Sequence, residues 1–315
     1  LLFFFITHKL QYFIIGYLIH LIYNSFILKL KLLLSFESLI IKISHTIKYM
    51  KNLLYIIFIL FNLSSLHALE LKGDFFQGNL IIGKTEPKSK IFIDMKEIKI
   101  SDQGFFAFGL SKNRKNNVLV KVVKNGISTN IVKKVYKKKY KIQKINGLPT
   151  KQVTPPKEFY QRIKDDNRLI GKARSINSNL TYFSDEFEVP IKNTIITGVY
   201  GSQRILNGIP KSPHYGLDFA SKEGTKIKAM LGGVVTLSED DLYYTGGTII
   251  FDHGHGVSTL YMHMKDIYVK KGENIKQGEI IGTVGKTGRA TGPHLDVRLN
   301  WFDIKLDPAS VLTLN

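Results

Sequence analysis

Between residues 69 and 130 the chain alternates short apolar runs with turn formers. Segments 79–82, 90–94, 105–110 and 118–123 are β-rich. Glu86-Pro87, Asp102-Gln103-Gly104 and Asn125-Gly126 separate them, as expected of strands joined by tight turns. The pattern predicts a small Ig-like β-sandwich over 69–130. It carries no histidine and no catalytic constellation. Further on, Phe159, Ile163, Ile170 and Ala173 recur at roughly helical spacing after Thr154-Pro155-Pro156. That predicts one linking helix ending near Ser175, with Thr154 as its cap and the prolines in its first turn. From 188 to 315 the chain is turn-dense, and runs at 225–230, 233–237, 248–251, 258–262 and 279–284 lie between glycines. Many short strands of this kind predict an antiparallel β domain. The expected fold class is therefore mostly β: a small Ig-like sandwich, a basic linker and helix over 131–187, and a C-terminal antiparallel domain over 188–315.

The first 68 residues follow a different pattern. Residues 1–49 mix Leu, Ile, Phe, Tyr, Lys and Asn irregularly, and residue 1 is Leu rather than Met. Two readings stand: upstream sequence translated from an early start, or a membrane helix over 12–28 interrupted by Gly16, His20, Asn24 and Ser25. Met50 and Lys51 then precede an unbroken apolar run at 53–61 and the small-residue exit Ser64-Ser65-Leu66-His67-Ala68. This is the layout of a signal peptide over 50–68, and the run is shorter than the ~20 residues that span a bilayer. On either reading the product from about Leu69 is expected to be exported to the periplasm or cell envelope, either free or tethered at its N-terminus.

Composition narrows the chemistry. A chain of 315 residues allows about two domains at ~150 residues each. Hydrophobic content of 44% and aromatic content of 11% support a packed core and exclude wholesale disorder. The absence of cysteine excludes disulfides, thiol nucleophiles and Cys-type metal sites. The net charge is +20, and Lys133-Lys134-Val135-Tyr136-Lys137-Lys138-Lys139-Tyr140-Lys141 concentrates part of it. That run reads either as a solvated linker or as attraction to an anionic polymer or membrane surface. Nucleic acid is not an expected partner of an exported protein.

The histidines mark a site. Of nine, at 8, 20, 45, 67, 214, 253, 255, 263 and 294, the last five fall between 214 and 294. His214-Tyr-Gly-Leu-Asp218 sets an imidazole and a carboxylate four apart across a glycine, and His294-Leu-Asp296 sets them two apart. On a strand, positions i and i+2 share a face. His214, Asp218 and Asp296 could thus gather around a metal with His294 beside it, since zinc accepts both His nitrogen and Asp oxygen. Each motif alone is commonly an unremarkable surface pair. His253-Gly-His255 lies in a Gly-rich turn, and His255 reads as structural.

Taken in order, the motifs resemble the lysostaphin-type (LytM or M23) metallopeptidase domain of peptidoglycan hydrolases. Gly201-Ser-Gln-Arg204 is similar to the family's arginine-bearing strand, and Pro213-His-Tyr-Gly-Leu-Asp-Phe-Ala220 to its first metal motif. Gly233-Val-Val, His253-Gly, Leu260-Tyr-Met-His-Met264 and the stretch 269–282 follow in the family's order. Gly288-Arg-Ala-Thr-Gly-Pro-His-Leu-Asp296 occupies the place of the second metal motif. The resemblance implies that His214 and Asp218 are metal ligands, that His263 and His294 are the catalytic histidines, and that Arg204 holds an anionic substrate group. Asp296 stands where the family usually carries a third, histidine ligand. A second carboxylate brings the ion's local charge near zero, which implies weaker activation and reduced activity, and favours Mn²⁺ more than a His₂Asp shell would.

Zn²⁺, with Mn²⁺ or another divalent ion as the alternative, is thus the implied cofactor of a peptidoglycan endopeptidase. The resemblance further implies peptidoglycan as substrate, a cell-wall amidase or division and morphogenesis proteins as further partners, and a monomer. A rival reading is a metal-free LytM-like regulator that activates an amidase or binds peptidoglycan. There is no His-Glu-x-x-His helix and no Gly-x-Ser-x-Gly elbow, which removes the zincin and serine-hydrolase readings.

Overall fold

The protein is described by a computed structural model covering residues 15, 16, 18, 19, 21, 22, 49–51, 69–147 and 153–314. The apolar run at 53–61 and the exit at 64–68 lie outside the described residues, as does most of 1–49. Among the described residues no helix is long and apolar enough to cross a membrane. The chain forms two compact units, Leu1–Leu66 and His67–Asn315; the architecture below is that of the second.

Seven strands open it: β1 (Glu70–Lys72), β2 (Leu80–Lys84), β3 (Lys90–Ile93), β4 (Lys96–Ile98), β5 (Phe105–Gly109), β6 (Val118–Lys124) and β7 (Ile127–Lys133). They form two antiparallel sheets, ordered β1-β2-β5 and β4-β3-β6-β7. The fourth strand pairs with the third, whereas a constant-type Ig domain keeps it on the first sheet. In β6, Val118, Val120 and Val122 alternate inward and meet Ile81, Phe106 and Phe108 from the opposite sheet, the period-two burial expected of a strand with one core face. Asn125 and Gly126 have φ of 51° and 78°, which fits the two-residue type I′ turn that joins twisted strands. The last strand runs to Lys133, three residues past the stretch read from the sequence.

Within the β1-β2-β5 sheet, β2 and β5 bury residues on both faces, whereas β1 is largely exposed. The sheet's second face presents Leu80 and Ala107 to the core of the C-terminal domain, where they join Phe183, Leu217 and Leu306. The basic segment that follows is no free linker. Lys138 pairs with the buried Asp307, and β8 (Ile142–Ile145) lies parallel to β10 (Gln203–Leu206). A 3₁₀ turn, Lys157–Phe159, then leads into α1 (Tyr160–Arg174). Thr154 does not cap the helix, because that 3₁₀ turn follows the prolines and Phe159 occupies the cap position without a side-chain hydrogen bond. Ile170 and Ala173 pack on Leu237, Leu242, Ile250 and Leu260, so the helix covers one face of the large sheet.

That sheet comprises β9 (Ile195–Gly198), β12 (Leu217–Ala220), β13 (Lys226–Lys228), β14 (Gly233–Leu242), β15 (Gly246–Gly254), β16 (Val257–Ile267), β17 (Asn274–Ile275), β18 (Ile280–Val284), β19 (His294–Trp301) and β20 (Ile304–Leu306). The short β11 (Ile209–Pro210) pairs with β10 beside it. The main order is β17-β14-β15-β16-β19-β12-β9, with β13, β18 and β20 attached at its side. The strand β19 is central: it pairs with β16 on one flank and β12 on the other.

Leu306 is fully buried and touches the position of Gly109 in the sandwich. Leu306→Ala should therefore destabilise the protein by about 2–5 kcal/mol, the usual cost of a core cavity, read as a lower urea midpoint at unchanged slope.

Candidate metal and catalytic site

The site grows from one register. In the antiparallel β12–β19 pair, Asp218 lies directly opposite Asp296, and directly opposed residues point to the same face. His214 precedes β12 and is locked by two backbone bonds: its amide donates to Ser202 O at 2.8 Å and its carbonyl accepts from the Gly201 amide at 2.7 Å. One ligand atom from each of His214, Asp218 and Asp296 lies within 4.8 Å of the others, and all three residues are buried.

Two glycines make the room. A Cβ at Gly198, the β9 partner of Asp218, would sit 2.0 Å from Asp218 Oδ2. A Cβ at Gly216 would sit 1.9 Å from Asp296 Oδ1.

Each carboxylate divides its oxygens between two tasks. Asp218 Oδ2 faces Arg204 Nη2 at 3.4 Å, and Asp296 Oδ2 accepts from Arg298 Nη2 at 3.0 Å. The remaining atoms, His214 Nε2, Asp218 Oδ1 and Asp296 Oδ1, are buried without a hydrogen-bond partner. His214 Nε2 approaches Asp218 Oδ1 to 3.1 Å, but not in hydrogen-bonding alignment. Buried polar atoms rarely go unsatisfied, and one imidazole nitrogen with two carboxylate oxygens is a donor set for a divalent cation. These residues fit such an ion. Burial would raise the Asp296 pKa, yet the Arg298 guanidinium, with His214 and His263, outweighs it and holds the carboxyl down to about 2.

The two remaining histidines stand together, with ring centroids 4.8 Å apart. His263 lies in β16 with φ of +63°, a left-handed conformation uncommon for a non-glycine residue and frequent at functional sites. Its Nδ1 is 2.9 Å from Thr287 O, and His294 Nδ1 is 2.8 Å from Gly292 O. A carbonyl only accepts, so both Nδ1 atoms carry the proton and each neutral ring has Nε2 as its basic nitrogen. Burial pushes His263 down to about 4. Thr287 is itself fixed, its hydroxyl donating to Met264 O and accepting from the Gly247 amide.

All five sequence-selected site residues other than Arg204, namely His214, Asp218, His263, His294 and Asp296, lie in this cluster, and Arg204 contacts it through Asp218. His253 and His255 do not join it. His253 donates from Nδ1 to Gly232 O and accepts at Nε2 from the Thr259 hydroxyl, and burial holds it at about 4. His255 packs on Phe183 at 4.8 Å. Sequence reasoning missed Arg298, Gly198, Gly216 and Thr287. For Arg298 a signal existed, because it stands two residues beyond Asp296 on the same strand face.

Residues 212–308 match peptidase family M23, and the chain carries a domain of that family. Peptidoglycan DD-endopeptidase ShyA of Vibrio cholerae is 41% identical over 88 residues, which are 28% of this chain and 20% of that protein. DD-carboxypeptidase/endopeptidase Mpg of Neisseria meningitidis is 39% identical over 98 residues, 31% of this chain and 22% of that one. The matched segment thus spans about a fifth of these relatives' length. A crystal structure of a putative peptidase M23 from Pseudomonas aeruginosa is 25% identical with a TM-score of 0.52, covering 76% of this chain and 95% of that chain. The likeness in fold therefore extends well beyond 212–308.

Gly216→Ala places a methyl 1.9 Å from Asp296 Oδ1 and 2.9 Å from the Val297 carbonyl oxygen, so the carboxylate must move and the strand must yield slightly. A carboxylate can swing away, so the chain should still fold, while Zn²⁺ affinity falls about 10- to 100-fold, the range for disturbing a ligand's surroundings. Isothermal titration alongside circular dichroism checks both halves.

Proposed function

We propose that the protein is an exported, metal-dependent peptidase that hydrolyses peptide cross-links in peptidoglycan. One observation carries the reading: three buried, unpartnered ligand atoms from His214, Asp218 and Asp296 beside two histidines whose tautomers are fixed by carbonyls. His214, Asp218 and Asp296 would hold the ion, Zn²⁺ or Mn²⁺. When bound, a divalent ion supplies Lewis-acid activation for amide hydrolysis.

The chain's own groups do the rest. His263 and His294, with Nδ1 committed to Thr287 and Gly292, offer Nε2 to a water in the site, take its proton and return it to the leaving amine. The arginine-held Oδ2 atoms keep both carboxylates aimed inward. The peptidoglycan substrate is supported by the names of the Vibrio and Neisseria relatives, and export to the periplasm or envelope by the 50–68 pattern.

The full-length protein, incubated with purified peptidoglycan and Zn²⁺ or Mn²⁺, should convert cross-linked fragments to monomers detectable by mass spectrometry. Chelator should abolish the conversion. Retention of every cross-link with either metal would sink the hydrolase and favour the regulator.

The Asp296 substitution for histidine is read as functional but weakening, with Arg298 returning positive charge to the centre. Asp296→His alone leaves that guanidinium unpaired, so the informative variant is Asp296→His with Arg298→Met. It should bind Zn²⁺ about tenfold more tightly and cleave faster, given imidazole's preference for zinc. Failure of both to rise would count against Asp296 as a ligand.

A further inference from the structure

A single loop organises both histidines. Gly285 and His294 bridge one another, the His294 amide donating to Gly285 O at 3.2 Å. The residues between them leave the sheet and return. Within this excursion the Thr287 carbonyl holds His263 and the Gly292 carbonyl holds His294. The loop is rigid where it meets the sheet. Gly288 has φ of +65°, and a Cβ there would lie 2.4 Å from Gly246 N. Next to it the Arg289 amide donates to Tyr244 O at 3.0 Å.

The Arg289 side chain is half-buried and lies with its guanidinium carbon 4.7 Å from the centroid of the Tyr244 ring. It makes no ion pair and no side-chain hydrogen bond to any described residue. Its contrast with the two arginines that touch the site carboxylates is informative: Arg204 is committed to Asp218 and Arg298 to Asp296. Burial lowers the Arg289 pKa, and repulsion from the nearby Arg204 adds to that lowering while Tyr244 opposes it. A half-buried cation near a second cation is costly without an anion. A guanidinium resting over an aromatic ring gains cation–π attraction there and keeps its N–H donors for bidentate contact with a carboxylate.

We propose that Arg289, fixed by Tyr244 and the 285–294 loop, is the recognition residue for a substrate carboxylate beside the scissile bond. The inference rests on the peptidase reading and adds the substrate's chemical class: an anionic peptide rather than a neutral one. Arg204 already serves Asp218 and contributes field; Arg289 supplies the contact.

The test uses the full-length protein and two probes, a cross-linked stem-peptide dimer released from peptidoglycan and the same dimer with its free carboxyls converted to carboxamides. With metal present, kcat/KM should favour the carboxylate dimer by about tenfold or more, as for a charge-assisted bidentate contact. Arg289→Gln should collapse that ratio towards one, and Arg289→Lys, which keeps the charge but not the planar fork, should restore part of it. The same ratio is to be read as binding to metal-free protein by isothermal titration. Equal handling of the two dimers by the wild type, or an unchanged ratio in Arg289→Gln, overturns the proposal even if cleavage is robust. Absence of cleavage with any metal defeats the peptidase reading instead. The binding ratio then decides Arg289 on its own: a carboxylate preference lost in Arg289→Gln sustains it, and equal binding overturns it.

Discussion

Two buried carboxylates face each other across one strand pair. The antiparallel register of β12 on β19 sets Asp218 against Asp296, with 7% and 2% of their surfaces exposed. Like charges opposed on a sheet repel, and burial without compensation would drive them towards protonation. The fold answers on two sides. Arg204 and Arg298 take the outer oxygens, and the inner oxygens converge with His214 on a position suited to a cation. The arginines alone leave these three atoms unsatisfied, a deficit that a divalent cation held between them would remove.

The remaining machinery is attached to the same strand. His294 begins β19, and the loop that delivers it also provides the carbonyls that set the tautomers of both histidines. The left-handed backbone at His263 is tolerated because its amide donates to Thr245 O and its ring is tied to Thr287. Local strain is thus held by surrounding bonds rather than relaxed. At the far end of β19, Trp301 packs against both hydrophobic cores, which connects the sandwich to the strand that carries Asp296. The sandwich belongs to the same compact unit.

Asp296 stands where the resemblance implies a histidine, and Arg298 pairs with it. Counted by ligands alone, two carboxylates and one imidazole leave a divalent ion nearly neutral. Arg298, at 3.0 Å from the outer oxygen of Asp296, returns one positive charge within the same cluster. An aspartate–arginine unit therefore approximates the charge of a neutral histidine, and would offer oxygen rather than nitrogen to an ion.

What the sequence determined by itself was the set of chemical groups and the local elements that carry them. Alternating apolar runs and Gly-containing turns located β2, β3, β5, β6, β13, β14, β15, β16 and β18, because a strand's burial period and a turn's φ requirement are local properties. His214, Asp218, His263, His294 and Asp296 could be named because ordered motifs carried them. The sequence did not indicate that 138–145 docks on the C-terminal domain, since a run of lysines looks the same whether solvated or paired. Nor did it assign Gly198 and Gly216 as space for two carboxylates. Which oxygen each arginine takes, which nitrogen each histidine presents and which arginine is left unpaired are relations between residues distant in the chain. They depend on sheet register and loop closure, and only the tertiary structure decides those.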